Sequence, residues 1–255
     1  MVARPMNALI LAAGYATRLY PLTLNKAKPL LEVGGKPIIR WLVDNLATVA
    51  GLKTIFIVTN DKFATDFENW AQDYTASQST ARLKVINDGS RSDDDKLGAI
   101  GDINVVLTRE DHAQQDDLLV VAGDNLFREP LAPFVNEARK NFAALAVHDL
   151  GNIDVMKKYG VVTASRDGTV THFEEKPDKP QSTLAAMALY YYSREALPLF
   201  ATYLAAGNNP DQPGRFIQWL YTRKPVKAFK MQGQWLDIGS KETLEQADKL
   251  FAATK

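Results

Sequence analysis

The chain has 255 residues, 30 Lys+Arg against 30 Asp+Glu, and 46% hydrophobic residues, which fits one large α/β domain with a continuous core. A formally neutral chain lacks the excess positive charge with which nucleic-acid binders displace counterions from phosphates, so we expect no nucleic-acid partner. The absence of cysteine excludes disulfides, thiolate catalysis and cysteine-ligated zinc, and three scattered histidines (His112, His148 and His172) make a histidine-rich metal site improbable.

The first apolar run, residues 8–13 (ALILAA), shows no polar alternation and predicts a strand buried on both faces. It is too short to span a membrane, and it ends at a glycine-containing loop as a buried strand does, unlike a secretory segment. We therefore expect a cytoplasmic protein with no membrane partner.

Helical and strand patterns alternate through the first half, which is typical of a mostly parallel sheet covered by helices. After Pro37 a helix is predicted up to Gly51, and further helices over 61–74 and 97–107. Strands are predicted over 54–59, 83–87 and 117–124. Residues 75–82 have a turn-like composition, and the loop 88–96 (DGSRSDDDK) looks too polar to be buried.

The second half has a different pattern. Strand-like segments cover 143–150, 159–165, 168–176 and 184–193, with turns between them, and a last helix runs from Ser240 to about Ala252. The predicted fold class is therefore α/β: a Rossmann-like, mixed, mostly parallel sheet flanked by helices, with a sheet extension in the second half.

The loop after the first strand, Gly14 to Pro21 (GYATRLYP), is the first candidate site. Small residues let backbone N–H groups approach a polyphosphate, Arg18 can grip its oxygens, and Lys28 adds a second positive charge. The plain alternative is a strand-to-loop turn with a surface arginine. Neither a GxxxxGK(S/T) loop nor a GxGxxG fingerprint is present, since Ala16 and Leu19 occupy the second and third glycine positions.

A second candidate is Asp124, at the end of the strand predicted over 117–124. Ligands of open α/β sheets bind beyond the carboxyl ends of the strands, so a carboxylate there is well placed for function. A turn or helix-capping aspartate is the plain alternative.

Five motifs in order resemble one known family. LAAGYATRLYPLT with KAKPLLEVGGKPII is followed by AGDN (122–125), YGVV (159–162), EEKP (174–177) and WLDIGS (235–240). Together they closely resemble the sugar-phosphate nucleotidyltransferases, which include the glucose-1-phosphate thymidylyl-, uridylyl- and cytidylyltransferases. The resemblance spans almost the whole chain. It implies a GT-A-like fold in a single domain, 1–255, with a nucleotide-binding half at about 1–140 and a sugar-phosphate-binding half at about 141–255.

The resemblance also implies roles for individual residues. Asp124 and Asp237 match the family's Mg²⁺-binding aspartates, whereas Lys176 and Glu175 match the groups that bind the sugar phosphate and the sugar hydroxyls. Gly160 matches a backbone contact to the sugar, and Gly98 a contact to the nucleobase. The nucleotide-binding set is Leu11, Ala13, Gly14, Tyr15, Ala16, Thr17, Arg18, Gly98 and Asp124, and the charged catalytic groups are Arg18, Lys28 and Lys176.

The implied partners are a nucleoside triphosphate and a sugar 1-phosphate, and a homo-oligomer is left open. In this reaction a phosphate oxygen attacks the α-phosphorus and pyrophosphate leaves, so the protein must neutralise charge and hold two anions in line. No general base is required, because the sugar phosphate is already ionised. His148 and His172 are therefore expected in the core or on the sheet surface.

The chain departs from the family pattern at three places. Ala16 replaces a glycine and would be strained if its φ were positive. Met187 and Ala188 stand where Thr-Gly is frequent, and the Gln-Pro pair of some thymidylyltransferases is missing, which leaves the base open. Glucose 1-phosphate with dTTP or UTP is the first expectation. Mannose 1-phosphate, another hexose phosphate and phosphocholine remain alternatives, as does a non-catalytic sugar-nucleotide-binding regulatory subunit. A Rossmann-type NAD enzyme is disfavoured by the missing glycines.

Overall fold

A computed structural model of the chain describes residues 4–77 and 81–252. Its strands are β1 Met6–Leu11, β2 Glu32–Val33, β3 Lys36–Pro37, β4 Leu52–Thr59, β5 Arg82–Asn87, β6 Asp117–Ala122, β7 Asn125–Phe127, β8 Ala143–Asp149, β9 Gly160–Ala164, β10 Val170–Glu175, β11 Leu184–Tyr192, β12 Val226–Lys230 and β13 Trp235–Asp237. Its α-helices are α1 Ile38–Leu46, α2 Ala64–Ser77, α3 Gly98–Arg109, α4 Ala132–Ala138, α5 Pro198–Ala205, α6 Gly214–Leu220 and α7 Lys241–Ala252.

Nine of these strands form one sheet in the order β10-β9-β11-β6-β1-β4-β5, with β8 joined to β11 and β12 to β8. Strands β6, β1, β4 and β5 run parallel, and β12 is parallel to β8. Strand β11 pairs antiparallel with β6, β8 and β9. The predicted mixed, mostly parallel sheet, extended in the second half, is confirmed.

Alternation along the buried strands divides the core between the two faces of the sheet. In β1, Leu9 packs on one face with α3, α5 and α6, whereas Ala8 and Ile10 pack on the other with α1, α2 and α4. The absence of polar alternation in β1 is explained by this double burial, because both faces of the strand are covered by helices. No helix in the described part is long and apolar enough to cross a membrane.

Several predicted boundaries are wrong. Helix α1 ends at Leu46 instead of reaching Gly51, and α2 continues to Ser77 into the segment predicted to be a turn. Residues 78–80 of that segment lie outside the described residues. The structure also contains α4, α5 and α6, which we did not predict.

The loop predicted to be too polar for burial is only partly exposed. Asp88 and Ser90 are 5% and 3% exposed, because Ser90 N and Oγ both donate to Asp88 Oδ1, at 2.6 and 2.8 Å. This local hydrogen bonding lets two polar residues enter the protein interior. The remainder of the loop, from Arg91 to Lys96, is exposed as expected.

A small antiparallel ribbon, β7 with β13, lies beside the main sheet and opposes Asp237 to Asn125. Asn125 Nδ2 donates to Met187 O in β11 at 2.6 Å, and Trp235 Nε1 donates to Asn125 Oδ1 at 3.2 Å. The ribbon therefore brings the motif near residue 237 to the end of β6. Helix α7 begins as predicted, with Thr243 N donating to Ser240 Oγ at 3.3 Å.

Candidate active site

The loops that follow β1, β5 and β6 meet at the carboxyl edge of the parallel strands. Backbone hydrogen bonds join them there, since Gly123 N donates to Leu11 O at 2.9 Å. The loop after β1 is held in addition by Asn60, whose Nδ2 donates to Ala13 O at 2.9 Å, and by Thr23, whose Oγ1 donates to Ala16 O at 2.8 Å. The predicted phosphate loop is therefore fixed from three sides.

Ala16 adopts the left-handed conformation, with φ 49° and ψ 43°. Ala16 therefore meets the condition, a positive φ, under which strain was expected, and this conformation costs about 1–2 kcal/mol for a residue with a Cβ atom. The other non-glycine residues with positive φ in the described part are Lys176 and Ala188. Strained backbone of this kind tends to cluster at functional sites.

Lys28 links Asp124 to the segment that contains Asp237, the second aspartate expected to bind metal. Its Nζ donates to Asp124 Oδ2 at 2.7 Å and to Ile238 O at 2.9 Å, next to Asp237. Asp124 is tied to the same segment, because Ile238 N donates to Asp124 O at 3.1 Å. Asp124 and Asp237 are 113 positions apart in sequence, but both lie close to Lys28 in the fold.

The charged groups around Asp237 act on its pKa in opposite directions. Burial, and next the negative charge of Asp124, raise the pKa of Asp237 to about 6. The cations Lys28, Lys176 and Arg18 act in the opposite direction and lower that pKa. Two neighbouring carboxylates surrounded by three cations form a site that is suited to anionic ligands and a divalent cation together.

The donor set fits Mg²⁺. Carboxylate oxygens are the hard ligands that this ion prefers, and Mg²⁺ is commonly held by one or two carboxylates together with substrate phosphates and water. In the described part of the chain no group of three or more His, Cys, Asp and Glu side chains could hold a metal ion. Asp124 and Asp237 would accordingly form a half-open site completed by the substrates.

One cavity, of about 220 Å³, lies on the side of the second half of the chain and contains the residues expected to bind a sugar phosphate. The predicted residues on its wall are Asp124, Gly160, Glu175, Lys176 and Asp237. Burial raises the pKa of Glu175, whereas Lys176 and Arg215 lower it. Glu174, its neighbour on β10, has a side chain that is 45% exposed and lies 3.8 Å from His172, as alternation along the strand predicts.

Two glycines make room for the Glu175 carboxyl group. A Cβ atom on Gly160 would lie 3.1 Å from Glu175 Oε2, and one on Gly214, in α6, would overlap that oxygen. Lys176 follows in a strained conformation with φ 50°, and its N–H donates to Tyr159 O at 3.1 Å. The acid and the lysine are therefore set in place by the backbone around them.

The side of the first half has two further cavities. A cavity of about 190 Å³ is lined by Leu11, Gly14, Ala16, Lys28 and Asp124. Another, of about 270 Å³, is lined by Leu11, Ala13, Gly14, Tyr15, Ala16 and Gly98 together with several aspartates. Gly98 has no room for a side chain, because a Cβ atom there would lie 2.6 Å from Pro210 O. Thr17 and Arg18 lie in an exposed 3-10 turn directly after this wall.

Several groups at this edge were not predicted from the sequence. Tyr159 and Trp235, with ring centroids 5.4 Å apart, line the cavity of the second half, and His148 lies behind them, 6.1 Å from Trp235. Asp88 and Asp102 line the 270 Å³ cavity. Tyr159 and Trp235 are the first residues of the motifs YGVV and WLDIGS, and that position could have signalled them. No local pattern marks Asp88 or Asp102.

Comparisons with known proteins agree with this geometry. Residues 7–254 match the family model described as nucleotidyl transferase. The chain is 28% identical over 247 residues to the UTP--glucose-1-phosphate uridylyltransferase AglF of Haloferax volcanii, covering 96% of each chain. It is 26% identical over 245 residues to the bifunctional protein GlmU of Methanocaldococcus jannaschii. That match covers 96% of this chain but only 54% of the relative, so this chain spans about half the length of such relatives.

Among solved structures, a putative glucose-1-phosphate thymidylyltransferase from Bacillus anthracis, in complex with a sucrose, superposes with a TM-score of 0.80. The identity is 25%, and the alignment covers 97% of this chain and 95% of that one. Similarity of this extent includes both halves of the sheet and the edge at which the candidate site lies.

Proposed function

The chain belongs to the nucleotidyl transferase family, and on that premise we propose that it joins a nucleoside triphosphate to a sugar 1-phosphate. A phosphate oxygen of the sugar 1-phosphate forms a bond to the α-phosphorus, the bond from that phosphorus to the bridging oxygen breaks, and pyrophosphate leaves. No proton has to be moved, because the attacking phosphate is ionised at neutral pH.

The observation that carries this proposal is that Asp124 lines cavities on both sides of the site. One of them contains the loop after β1, and the other contains Glu175 and Lys176. A reaction between two anions needs cations and hard oxygen ligands between the binding regions, which is where the pair of Lys28 and Asp124 lies.

Each residue has a distinct part in the proposal. Backbone N–H groups of the loop at Gly14 and the guanidinium of Arg18 bind the triphosphate, and Lys28 neutralises charge next to the α-phosphate. Lys176 binds the phosphate of the sugar, and Glu175 accepts hydrogen bonds from its hydroxyls. Mg²⁺, held by Asp124 and Asp237, would supply positive charge at the reacting phosphorus.

For the sugar, we propose a hexose 1-phosphate, with glucose 1-phosphate as the first candidate. AglF is a UTP--glucose-1-phosphate uridylyltransferase and the Bacillus anthracis protein a putative glucose-1-phosphate thymidylyltransferase, which supports glucose 1-phosphate as the compound to test first. Mannose 1-phosphate and phosphocholine are the next compounds to test, since each supplies an ionised phosphate to the same lysine.

The test is a matrix of ATP, GTP, CTP, UTP and dTTP against these phosphate compounds, scored by Mg²⁺-dependent release of pyrophosphate. We expect at least one pair to react and to give the corresponding nucleotide conjugate. If nucleotide binds but no pair reacts, the chain is a sugar-nucleotide-binding regulatory subunit and our proposal is wrong.

Lys176→Ala tests whether one side of the site binds the sugar phosphate and the other the triphosphate. Loss of a charge-assisted hydrogen bond to phosphate should lower kcat/KM for the sugar phosphate by roughly 10- to 100-fold while triphosphate binding persists. Lys179→Ala, which removes an exposed lysine three residues later, is the matched control and should retain full activity. If Lys176→Ala weakens binding of the triphosphate and leaves use of the sugar phosphate unchanged, Lys176 binds the triphosphate and our assignment is wrong.

A further inference from the structure

The 270 Å³ cavity beside α3 is rich in carboxylates. Four aspartates line it, Asp88, Asp93, Asp102 and Asp211, together with one lysine, Lys96. That lysine is already engaged, since its Nζ lies 3.2 Å from Asp93 and 3.7 Å from Asp211. In the described part of the chain, no cation is paired with Asp88 or Asp102.

Asp102 is the unusual member of this group. It is 5% exposed, and its Oδ1 is buried without any hydrogen-bond partner in the described structure. The other buried acids among the described residues, outside this cavity, are satisfied: Glu110 by Lys84, Asp116 by Lys53, and Asp117 by Tyr191 Oη and Arg194 N. A buried acceptor without a donor is costly, and in a native protein it calls for an explanation.

The neighbouring acid, Asp88, is satisfied by Ser90 and interacts with Asp102. Burial, and next the charge of Asp88, raise the pKa of Asp102 to about 8, and a hydrogen bond between the two carboxyl groups acts in the same direction. In that hydrogen bond the protonated Asp102 carboxyl group donates to Asp88, so its proton is used between the two side chains. The buried Oδ1 of Asp102 is left without a donor, and Asp102 is one of the residues that line the cavity.

A ligand edge that suits this wall must offer N–H groups. Guanine, adenine and cytosine each carry an exocyclic amino group, which projects beyond the ring and donates two hydrogen bonds. Uracil and thymine carry one ring N–H between two carbonyl oxygens, and those oxygens would face the carboxyl groups of Asp88 and Asp102 without a donor between them. Polar groups left unpaired in this way are what a binding site uses to reject an analogue.

The cavity is also adjacent to the expected path of the nucleotide. Gly14 and Ala16 line both this cavity and the 190 Å³ cavity that contains Lys28 and Asp124. A nucleotide whose phosphates lie along the loop after β1 would direct its base toward α3. This step rests on the proposed function, since it assumes that the site binds a nucleoside triphosphate.

We propose that Asp102 is a specificity-determining residue that accepts a hydrogen bond from the exocyclic amino group of the nucleobase, so that the site takes GTP, ATP or CTP in preference to UTP and dTTP. This assignment differs from the first expectation from sequence, which was dTTP or UTP. No local motif marked Asp102, and the segment around Asp88 looked like an exposed loop.

The test uses pairs of nucleotides that differ in the amino group alone, CTP against UTP and GTP against ITP. Binding is measured by isothermal titration with Mg²⁺ and without sugar phosphate, so that no turnover occurs. We expect the amino-bearing member of at least one pair to bind at least about 10-fold more tightly. Equal or tighter binding of UTP and ITP by the wild-type protein would overturn the assignment without the need for any variant.

Asp102→Asn then tests the residue itself. An amide can present an N–H to the cavity, so the preference should fall to less than about 3-fold or reverse in favour of UTP or ITP. Asp94→Asn, in the exposed part of the preceding loop, is the matched control and should keep the wild-type ratio. An unchanged ratio in a folded Asp102→Asn protein contradicts the proposal.

Failure of this inference can be distinguished from failure of the proposed function. If all the triphosphates bind but without discrimination by the amino group, the inference alone is wrong. If no triphosphate binds and no pyrophosphate is released, the proposed function is wrong, and the inference fails with it.

Discussion

At the scale of single residues, Asp124 combines two roles in the proposed site. Its Oδ2 lies 2.7 Å from Lys28 Nζ, and its backbone carbonyl accepts from Ile238 N. The side chain can therefore bind a metal cation only next to Lys28 or in its place. The negative charge of Asp124 would be balanced by Lys28 before the metal binds and by the metal afterwards.

Asp124→Asn should lower turnover at least about 10²-fold, because a neutral amide binds Mg²⁺ less well and no longer pairs with Lys28. The measurement is kcat from pyrophosphate release at saturating Mg²⁺ and substrates. Asp73→Asn, on the exposed face of α2, serves as the control and should match the wild type. Near-normal turnover of Asp124→Asn would remove this residue from the mechanism.

Asp102 provides a pH-dependent prediction that does not depend on any ligand. Its pKa of about 8 in the folded protein lies above the ordinary value of about 3.9, so folding takes up a proton between these pH values and stability falls as pH rises. Asp102→Asn lacks this titration. Its free energy of unfolding should therefore increase relative to the wild type from pH 5 to pH 8, at most by about 1.4 kcal/mol per pH unit.

Urea unfolding of both proteins at several pH values measures this difference. Asp94→Asn removes an exposed carboxylate from the same region and should follow the wild type at each pH. A difference between Asp102→Asn and the wild type that is constant with pH would show that Asp102 is ionised in the folded protein.

The three residues with positive φ show how the site uses backbone strain. Ala16 lies in the loop after β1, Lys176 directly after β10, and Ala188 within β11. Ala188 coincides with an irregularity in the pairing of β11 with β8, between Ala186 and Tyr190. Each strained residue lines a cavity of the candidate site, so the strain is concentrated where ligands would bind.

At the scale of elements, α6 positions Glu175 in the cavity of the second half. It begins at Gly214, directly against the Glu175 carboxyl group, and Gln218 Oε1 accepts a hydrogen bond from Glu175 N at 3.0 Å. Phe216 and Ile217 of the same helix are buried in the core. The helix is thus anchored in the core and also supports an acid of the candidate site.

Gly214→Ala should displace the Glu175 side chain, since the added methyl group would occupy the position of its carboxyl oxygen. We expect kcat/KM for the sugar phosphate to fall roughly 10- to 100-fold, as expected for a small misplacement of a binding group, with an unchanged KM for the triphosphate. Steady-state kinetics with each substrate varied in turn measures both quantities. Equal losses for the two substrates would indicate general disruption instead of displacement of Glu175.

At the scale of the whole molecule, the two halves share one sheet and one core. Strand β6 from the first half pairs with β1 on one side and with β11 from the second half on the other. The core face that contains Leu9 and Phe56 also contains Phe200 and Phe216. Neither half could keep its apolar surface buried without the other.

We therefore expect a single cooperative unfolding transition, in line with the proposed single domain. The four tryptophans allow a test, because Trp41 and Trp70 report on the first half, and Trp219 and Trp235 on the second. Trp41→Phe/Trp70→Phe and Trp219→Phe/Trp235→Phe double variants each leave one half as the fluorescence reporter. In each variant the urea midpoint from fluorescence should equal that from circular dichroism, and separated midpoints would indicate two independent units.

The amino-acid sequence by itself determined the fold class and the nucleotidyl transferase family. Apolar runs such as 8–13 and 117–124 are local signals, because burial of both faces of a strand excludes polar residues throughout. The ordered motifs around Gly14, Asp124, Gly160, Lys176 and Asp237 are local as well, and they anticipated the residues that meet at the sheet edge.

Other features were decided only by the tertiary structure. The end of α1 and the helices α4 to α6 depend on packing against the sheet, which overrides weak local preference. The meeting of Asp102 with Asp88 depends on a helix and a loop that approach each other in space, and burial of Asp88 depends on Ser90. Local patterns encode which residues are apolar or charged, but a long-range contact places an acid in a cavity, and that contact has no signature in a single sequence.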